Sequence, residues 1–181
     1  KQIAALETSD VAALTVDNLT SLSTSQWGAF KTSQIAGLST AQVANLSTSS
    51  LQMLNTIQVA ALETRDIAVL SLEQIQALTT IQMVALTSHQ VSNLSGTTLG
   101  YLSTSQILAL ETSDFASLST SSLPSLTDGQ LGALTSAQVS ALSTTQLMTL
   151  TTAQFALIPS GNRAGINQTP IVLDLDGNGI Q

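Results

Sequence analysis

The sequence LSTAQVANL, from Leu38 to Leu46, contains an eight-residue phrase that the chain repeats with little change. Read in eights from Glu7, the phrase recurs nineteen times without insertion or deletion and ends at Ile158. We number the places of each octad one to eight, so that Ser39 is at place one. A repeat of fixed period must be interpreted first, because it is the signature of repeat architectures.

Each place of the octad has its own chemistry. Place eight is Leu in seventeen of the nineteen octads, and place five is apolar in all nineteen. Place four is Gln in twelve octads, place one is Ser or Thr in fourteen, and place two is Thr in thirteen. Places six and seven are mostly Ala, Gly or Ser. Any fold proposed for the chain must therefore treat places five and eight as core and place four as a special polar position.

Two simple structures do not explain a period of eight. In a β-strand neighbouring side chains point to opposite faces, so places five and eight would face opposite sides. In a continuous α-helix eight residues overshoot two turns by about 80°, so the apolar places would spiral around the helix. Known supercoil repeats correspond to about 3.5 or 3.67 residues per turn, whereas eight residues over two turns would require about 4.0.

Each octad instead carries a signal for the start of a helix. Ser39 and Gln42 match a capping box, in which the Ser hydroxyl accepts from a backbone amide and the Gln side chain reaches back to the cap. Leu38 and Val43 match the hydrophobic staple that accompanies such a box. Because a new start follows every eight residues, the helices must be short, and short helices need packing for stability. We therefore predict an all-α solenoid, or superhelical coil, of roughly two-turn helices, one per octapeptide, over residues 1–158.

Three octads replace the usual residues by an acidic pair, with Glu at place one and Asp at place four. The functional interpretation is a pair of carboxylates that binds a cation or acts in acid–base catalysis. We favour the structural alternative, because acidic residues in the first turn interact favourably with the positive end of a helix. Since Glu is a weak N-cap, we expect the neighbouring Thr to cap these helices. These residues are Glu7, Thr8 and Asp10, Glu63, Thr64 and Asp66, and Glu111, Thr112 and Asp114.

A few single residues stand out within the octads. Pro124 would remove a helical hydrogen bond, so we predict a local kink near residues 119–126. Trp27 and Phe30 could form an aromatic recognition patch, but they occupy places five and eight, which favours core packing. The single histidine, His89, occupies the variable place three and has no Ser and Asp partners at a fixed spacing. Because a Ser-His-Asp arrangement would need it, we predict that this chain is not an enzyme.

The composition excludes several classes of partner. Apolar residues make up 43% of the chain, enough for a core, whereas 8% are charged and the net charge is −7. We expect no nucleic-acid partner, since phosphate binding needs clustered Lys and Arg. We expect no membrane insertion, because the chain has no apolar run of about 18 residues. The absence of Cys excludes disulfides and thiolate metal sites, and the sequence reads as a fragment without a signal peptide.

The octads give way to a different kind of sequence near the end of the chain. Residues 159–169 contain the Pro, Gly and Asn typical of a linker. Residues 170–181, PIVLDLDGNGIQ, place Asp174, Asp176 and Asn178 at alternate positions, as at the start of an EF-hand-type calcium loop. Calcium takes six to eight oxygen ligands, so we expect weak calcium binding, or none, by this incomplete loop. The alternative is a turn rich in Asp, Gly and Asn.

At these residues the chain resembles a known family. The segment TPIVLDLDGNGI, from Thr169 to Ile180, is similar to one that opens a domain in large bacterial RTX (repeats-in-toxin) exoproteins, including iron-regulated RTX proteins and giant haem utilisation or adhesion proteins. Octads of the Leu-Ser-Thr-x-Gln kind also resemble arrays found upstream in such proteins. The resemblance implies type I secretion, a cell-surface or extracellular setting, and calcium as a ligand. Asn178 stands where Asp is more usual, and the glycine-rich nonapeptides that define RTX proteins are absent from this sequence.

The repeat and the resemblance together predict a function without catalysis. We expect the octads to form a structural spacer or interaction stalk in a secreted adhesin-like or toxin-like exoprotein; a catalytic domain of an enzymatic toxin would lie outside this sequence. The alternative is a binding module, in which Thr at place two forms a hydroxyl surface for a glycan, a cell surface or another repeat array. Because solenoids without polar end caps tend to stack, end-to-end self-association is a further partner to test. The threonines of this surface are Thr24, Thr32, Thr40, Thr48, Thr56 and Thr64.

Overall fold

The computed structural model describes residues 2–163. These residues form eighteen α-helices and three short 3₁₀ helices, with no β-strand among them. The predicted all-α fold is confirmed, and each α-helix of four to six residues belongs to a different octad. The helices are α1 (Thr8–Ala13), α2 (Val16–Thr20), α3 (Thr24–Trp27), α4 (Thr32–Ala36), α5 (Thr40–Ala44), α6 (Thr48–Gln52), α7 (Thr56–Ala61), α8 (Thr64–Ala68), α9 (Leu72–Ala77), α10 (Thr80–Val84), α11 (Ser88–Ser92), α12 (Gly96–Tyr101), α13 (Thr104–Ala109), α14 (Thr112–Ala116), α15 (Asp128–Ala133), α16 (Ser136–Ala141), α17 (Thr144–Leu147) and α18 (Thr152–Leu157).

The capping box starts the helices as the sequence predicts. In α5 the N-cap Ser39 has extended backbone angles, and its Oγ accepts from the Gln42 N–H at 3.2 Å. In return the Ser39 N–H donates to Gln42 Oε1 at 2.7 Å. At the other end of a helix, Leu62 at place eight is also extended, with φ −62° and ψ 140°. An extended Leu followed by an extended cap residue therefore turns the chain from one helix into the next without a loop.

Pro124 changes the local structure of its octad. The irregularity predicted near residues 119–126 takes the form of a 3₁₀ helix, Leu123–Ser125, in place of an α-helix. The local bond of the capping box remains in this octad, because Ser119 Oγ accepts from the Ser122 N–H at 3.0 Å. Leu123 at place five remains fully buried. The octad thus keeps its place in the core although Pro shortens its helix.

The chain divides into two compact units, one ending at Gln90 and the other beginning at Val91. In the N-terminal unit, helices that lie three octads apart pack against each other: α1 on α4, α4 on α7, α5 on α8, α6 on α9 and α7 on α10. In the C-terminal unit the same spacing joins α13 to α15, α14 to α16, α15 to α18, and α12 to the 3₁₀ helix Leu123–Ser125. Each unit is therefore a coil in which successive turns stack.

The core of each unit consists of the side chains at places five and eight. Ile35, Val43 and Leu99 at place five are 0% exposed, and Leu38 and Leu46 at place eight are 1% and 3% exposed. Burial of each such side chain stabilises the fold by about 1.5–3 kcal/mol. This packing compensates for helices that are too short to be stable alone.

Small residues at places six and seven let the stacked turns approach closely. A Cβ on Gly37, at the C-cap of α4, would lie 2.6 Å from Cγ2 of Thr8, the first residue of α1. A Cβ on Gly100 or Gly132, both at place six, would be in ordinary contact with a backbone oxygen of the neighbouring turn. At Gly37 a methyl group would therefore collide with Thr8 unless that side chain moved.

The packing pattern extends a few residues beyond Ile158. The 3₁₀ helix Ser160–Arg163 packs against α16, which lies three octads earlier. Asn162 stands where place four of a twentieth octad would be, and its Nδ2 donates to the Leu134 carbonyl at 2.8 Å. The predicted linker, residues 159–169, therefore begins as a continuation of the coil in the part that the structure describes.

Candidate functional site

The polar side chain at place four is buried through most of the array. It is at most 6% exposed in every octad from the one containing Gln34 to the one containing Gln146. Burial of an amide without hydrogen bonds would cost several kcal/mol. Each of these buried side chains therefore needs hydrogen-bond partners for its polar atoms.

Gln82 shows how the requirement is met. Its Oε1 accepts from the backbone N–H and the hydroxyl of Thr79, at 3.0 and 3.2 Å. Its Nε2 donates to the carbonyls of Leu51 and Leu54, at 2.8 and 2.9 Å. The two acceptor positions of the oxygen and the two N–H donors are all used. The amide orientation follows from its partners, because donors lie on one side and acceptors on the other.

The same arrangement recurs along both units. Each of ten glutamines at place four donates from Nε2 to one or more carbonyls that lie 28 to 31 residues earlier in the chain. We call this set the glutamine ladder. Its members are Gln34, Gln42, Gln58, Gln74, Gln82, Gln90, Gln130, Gln138, Gln146 and Gln154.

The ladder explains why place four is Gln. A Glu at this place would accept from the cap N–H equally well, and Glu is a usual member of the capping box. A carboxylate has no N–H to donate, so it would face the two carbonyls of the earlier octad without a hydrogen bond. The sequence pattern explained only the local half of this side chain. The signal for the other half was the preference for Gln over Glu.

The ladder also sets the pitch of the coil within each unit. Gln82 reaches residues 31 and 28 positions earlier, which are places five and eight of the octad four before its own. Helices α7 and α10, in contrast, pack at a separation of three octads. One turn of the coil therefore takes between three and four octads.

The acidic octads are capped differently from our expectation. The N-caps are Glu7, Glu63 and Glu111, and the threonines that follow them are the first residues of α1, α8 and α14. The prediction that Thr8, Thr64 and Thr112 cap these helices is therefore wrong. The Asp at place four makes only the local bond that Gln makes elsewhere, since Asp10 Oδ2 accepts from the Glu7 N–H at 3.0 Å. This local bond suits the structural interpretation of the acidic pairs.

Asp66 is the acidic residue that the fold buries most deeply. It is 0% exposed; its Oδ2 accepts from the Glu63 N–H at 3.1 Å and its Oδ1 from the Thr40 hydroxyl at 3.2 Å. Burial raises the pKa of the Asp66 carboxyl, and these hydrogen bonds offset only part of that effect. By the register of the ladder its neighbour is the Leu38 carbonyl, to which no side chain of residues 2–163 donates. Glu63 forms an ion pair with Arg65 beside it.

The place-two threonines do not cap the helices. In the regular octads the cap is the residue at place one, as with Ser23 and Ser39. Among the described residues, Thr24, Thr32 and Thr56 have exposed side chains. Thr40, Thr48 and Thr64 are half-buried, and the Thr40 hydroxyl donates to Asp66. Capping therefore does not explain the preference for Thr at this place.

Other residues that the sequence singled out lie where their places predict. Trp27 and Phe30 are 0% and 5% exposed, with ring centroids 5.3 Å apart, so they pack in the core. His89 is exposed at place three. The sequence did not single out Ile57 and Ile81, which are 67% and 68% exposed on the packed helices α7 and α10.

The described part of the chain offers few other candidate sites. Residues 2–163 contain no group of three or more His, Cys, Asp or Glu side chains that could hold a metal ion. No helix in that range is long and apolar enough to cross a membrane. The predicted calcium ligands Asp174, Asp176 and Asn178 lie outside the described residues.

Comparison with known proteins identifies the repeat. A family model described as the ALTTAQ repeat matches residues 3–40, 59–96 and 107–144, which together are more than half of the chain. The letters of that description correspond to places seven, eight and one to four, and residues 133–138 read ALTSAQ. No curated protein and no solved structure matches the chain at a significant level. The chain belongs to the ALTTAQ repeat family.

Proposed function

We propose that the octads are a non-catalytic structural spacer, or interaction stalk, in a secreted bacterial exoprotein. The observation that carries the proposal is the glutamine ladder. Eight of the ten rungs join an octad to the place-five and place-eight carbonyls of the octad four before it, as in Gln42 to Val11 and Leu14 and in Gln138 to Ile107 and Leu110. The other two, Gln146 and Gln154, reach the same earlier octad through the place-six carbonyls of Ala116 and Pro124. Such a module can be lengthened by whole octads without changing its internal contacts.

A distance measurement tests the spacer. The chain has no Cys, so Ser25→Cys and His89→Cys would provide two labelling sites within the N-terminal unit, both at the exposed place three. A duplicate of residues 31–86, which are seven complete octads, would be inserted after Leu86. Packed helices lie about 8–10 Å apart, so each added turn should lengthen the path by a similar amount. Seven octads make about two turns, so the distance between the labels should increase by about 20 Å and keep one narrow distribution. Pulsed electron–electron double resonance measures this distance.

Two comparisons make the result decisive. A Gly/Ser insertion of the same length should give a broad distribution, because such linkers are flexible. An octad insertion that leaves the distance unchanged, or broadens it as the flexible linker does, would reject the spacer. A second duplicated block should repeat the first increment.

A binding module is the second candidate, and the exposed hydroxyls favour it. Thr24, Thr32 and Thr56 are at place two without a capping role, so another function for this preference is open to test. Exposed hydroxyl and methyl groups suit a glycan or a cell-surface partner. Replacing these three residues by Val should abolish binding on a glycan array while helicity stays unchanged. A glycan that binds the variant and the wild type equally would rule out this face.

The proposed setting rests on the resemblance of the tail to RTX exoproteins. It comprises type I secretion, a bacterial cell-surface or extracellular location, and calcium at the segment that contains Asp174, Asp176 and Asn178. Three side-chain ligands are fewer than the six to eight oxygens that calcium takes, so binding by this chain should be weak. Titration calorimetry of the wild type and of Asp174→Asn/Asp176→Asn would test it; identical heats in the two proteins would remove calcium from the proposal.

A further inference from the structure

The N-terminal unit has an edge at which place four is exposed. The first octads have exposed side chains at place four, namely Asp10, Asn18 and Gln26. Gln2, which has the same register just before the first full octad, is exposed as well. In the next octad Gln34 is only 2% exposed, because its Nε2 donates to the carbonyls of Ile3 and Leu6, at 2.8 and 2.7 Å. Burial of place four is therefore caused by the turn before it and not by the octad itself.

The amides at this edge are already held in the orientation that the ladder uses. Gln26 Oε1 accepts from the backbone N–H and the hydroxyl of Ser23, both at 2.8 Å. Asn18 Oδ1 accepts from the N–H and the hydroxyl of Thr15, at 3.1 and 2.8 Å. Among residues 2–163 no acceptor bonds to the amide nitrogens of Gln26 and Asn18. The edge thus presents donors whose rotamers the local caps have set.

A groove lies on the same edge. It has a volume of about 250 Å³ and is lined by Gln2 and Ile3 from the start of the chain and by Ser25, Gln26 and Ala29 from the octad that contains α3. Two of these five residues are place-four glutamines. For Gln58 the corresponding region is filled by Trp27 and Phe30, whose carbonyls accept from its Nε2 at 2.7 and 3.1 Å. The groove is therefore the space that a further turn of octads would fill.

The C-terminal unit supplies the matching acceptors. The Leu134 carbonyl accepts from Asn162, so the ladder contacts continue to the last described residues. In the part of the chain that the structure describes, no side chain donates to the carbonyls of Leu142 and Leu150, which follow at place eight. Each of these two carbonyls has the place-eight register of the Leu54 carbonyl, which accepts from Gln82.

We propose that this edge binds a second copy of the chain, head to tail. The exposed amides of Asn18 and Gln26 in one copy donate to place-eight carbonyls at the C-terminal unit of the next copy. The contact is a continuation of the interface between turns that each unit already contains. Because the two surfaces differ, the association is heterologous and continues beyond a dimer. The inference does not depend on the spacer function.

Sedimentation velocity of the 181-residue chain over a wide concentration range tests the proposal. We expect the mean mass to rise past that of a dimer as concentration increases. Asn18→Asp/Gln26→Glu keeps the oxygens that accept from the caps but removes both amide donors. Loss of two hydrogen bonds should weaken the association by at least about tenfold. The charge-matched control, Ser49→Asp/Ser105→Glu, adds the same two charges at exposed place-three residues and should associate like the wild type.

Three results would overturn the inference. They are a wild type that stays monomeric at every concentration, an association that stops at a dimer, and equal weakening of the edge variant and the control. Circular dichroism must show that the edge variant is folded. If it is not, Gln26→Met, which removes the amide without adding charge, takes its place, and undiminished association of that variant would equally reject the proposed contact.

Discussion

Replacing Gln82 by Glu separates the two roles of the place-four side chain. The carboxylate still accepts from the Thr79 N–H, so the local capping box of α10 is kept. It can no longer donate to the carbonyls of Leu51 and Leu54. The variant therefore removes one rung of the glutamine ladder and leaves the helix start intact.

The expected loss of stability follows from the contacts. Two amide–carbonyl bonds contribute about 0.5–1.5 kcal/mol each, and leaving buried groups without partners adds about 1–3 kcal/mol. Gln82 is 3% exposed, so water does not compensate. We expect Gln82→Glu to lower the free energy of unfolding by about 3–5 kcal/mol at pH 7, measured by urea unfolding followed by circular dichroism.

Gln26→Glu is the matched control. Gln26 makes the same box with Ser23, but it is exposed and is not a rung of the ladder. At protein concentrations low enough to exclude association, this change should cost less than about 0.5 kcal/mol. Equal losses in the two variants would place the effect in the cap and would contradict a stabilising role of the ladder.

Acidification gives a second readout for the Gln82 variant. A protonated Glu carries an O–H that can donate to one of the two carbonyls. Burial disfavours the charged form, so we expect the deficit of Gln82→Glu to shrink as the pH falls from 7 to about 4. A deficit that grows on acidification, relative to Gln26→Glu at the same pH, would contradict a buried and unpaired carboxylate.

Two further variants test the packing between turns. Gly37→Ala should destabilise the chain by about 1–2 kcal/mol through the contact with Thr8, and adding Thr8→Ser should recover part of the loss. A Cβ at Gly129 would have no atom within 4 Å, so Gly129→Ala should instead stabilise the chain by about 0.5–1 kcal/mol. If both variants changed thermal stability in the same direction, a close contact at Gly37 would be disproved. Asp66→Gln should stabilise at pH 7 by about 1–3 kcal/mol, because the amide restores a donor to Leu38 and removes a buried carboxylate. The raised pKa of Asp66 makes wild-type stability fall as the pH rises above about 4. The stability gained by Asp66→Gln should therefore be largest at neutral pH and smaller in acid. A gain that does not depend on pH would show that ionisation of Asp66 is not involved.

The departures from the repeat show how much variation the ladder accepts. Ser122 is too short to reach two carbonyls, yet its hydroxyl donates to the Leu94 carbonyl at 2.7 Å. The Ser50 hydroxyl, also at place four, makes a hydrogen bond with the Ser47 hydroxyl of its own octad at 2.9 Å. A single octad without the full set of bonds is therefore tolerated, because its apolar places still pack and its neighbours keep their own rungs.

The helices, their caps and the core of this protein follow from the octad pattern alone. The box of Ser39 and Gln42 and the apolar pair of Leu38 and Val43 lie within a few residues of each other, so local chemistry is enough to predict them. The same locality explains why Trp27 was correctly placed in the core.

Which octads become neighbours, in contrast, depends on how the chain coils in three dimensions. All octads carry nearly the same side chains, so nothing in the sequence marks a partner 28 or 31 residues away. The number of octads in each turn of the coil sets which octads are in contact. It thereby sets the acceptors of Gln82, the burial of Asp66 and the contact between Gly37 and Thr8. These features depend on distances between turns, which local propensity does not contain.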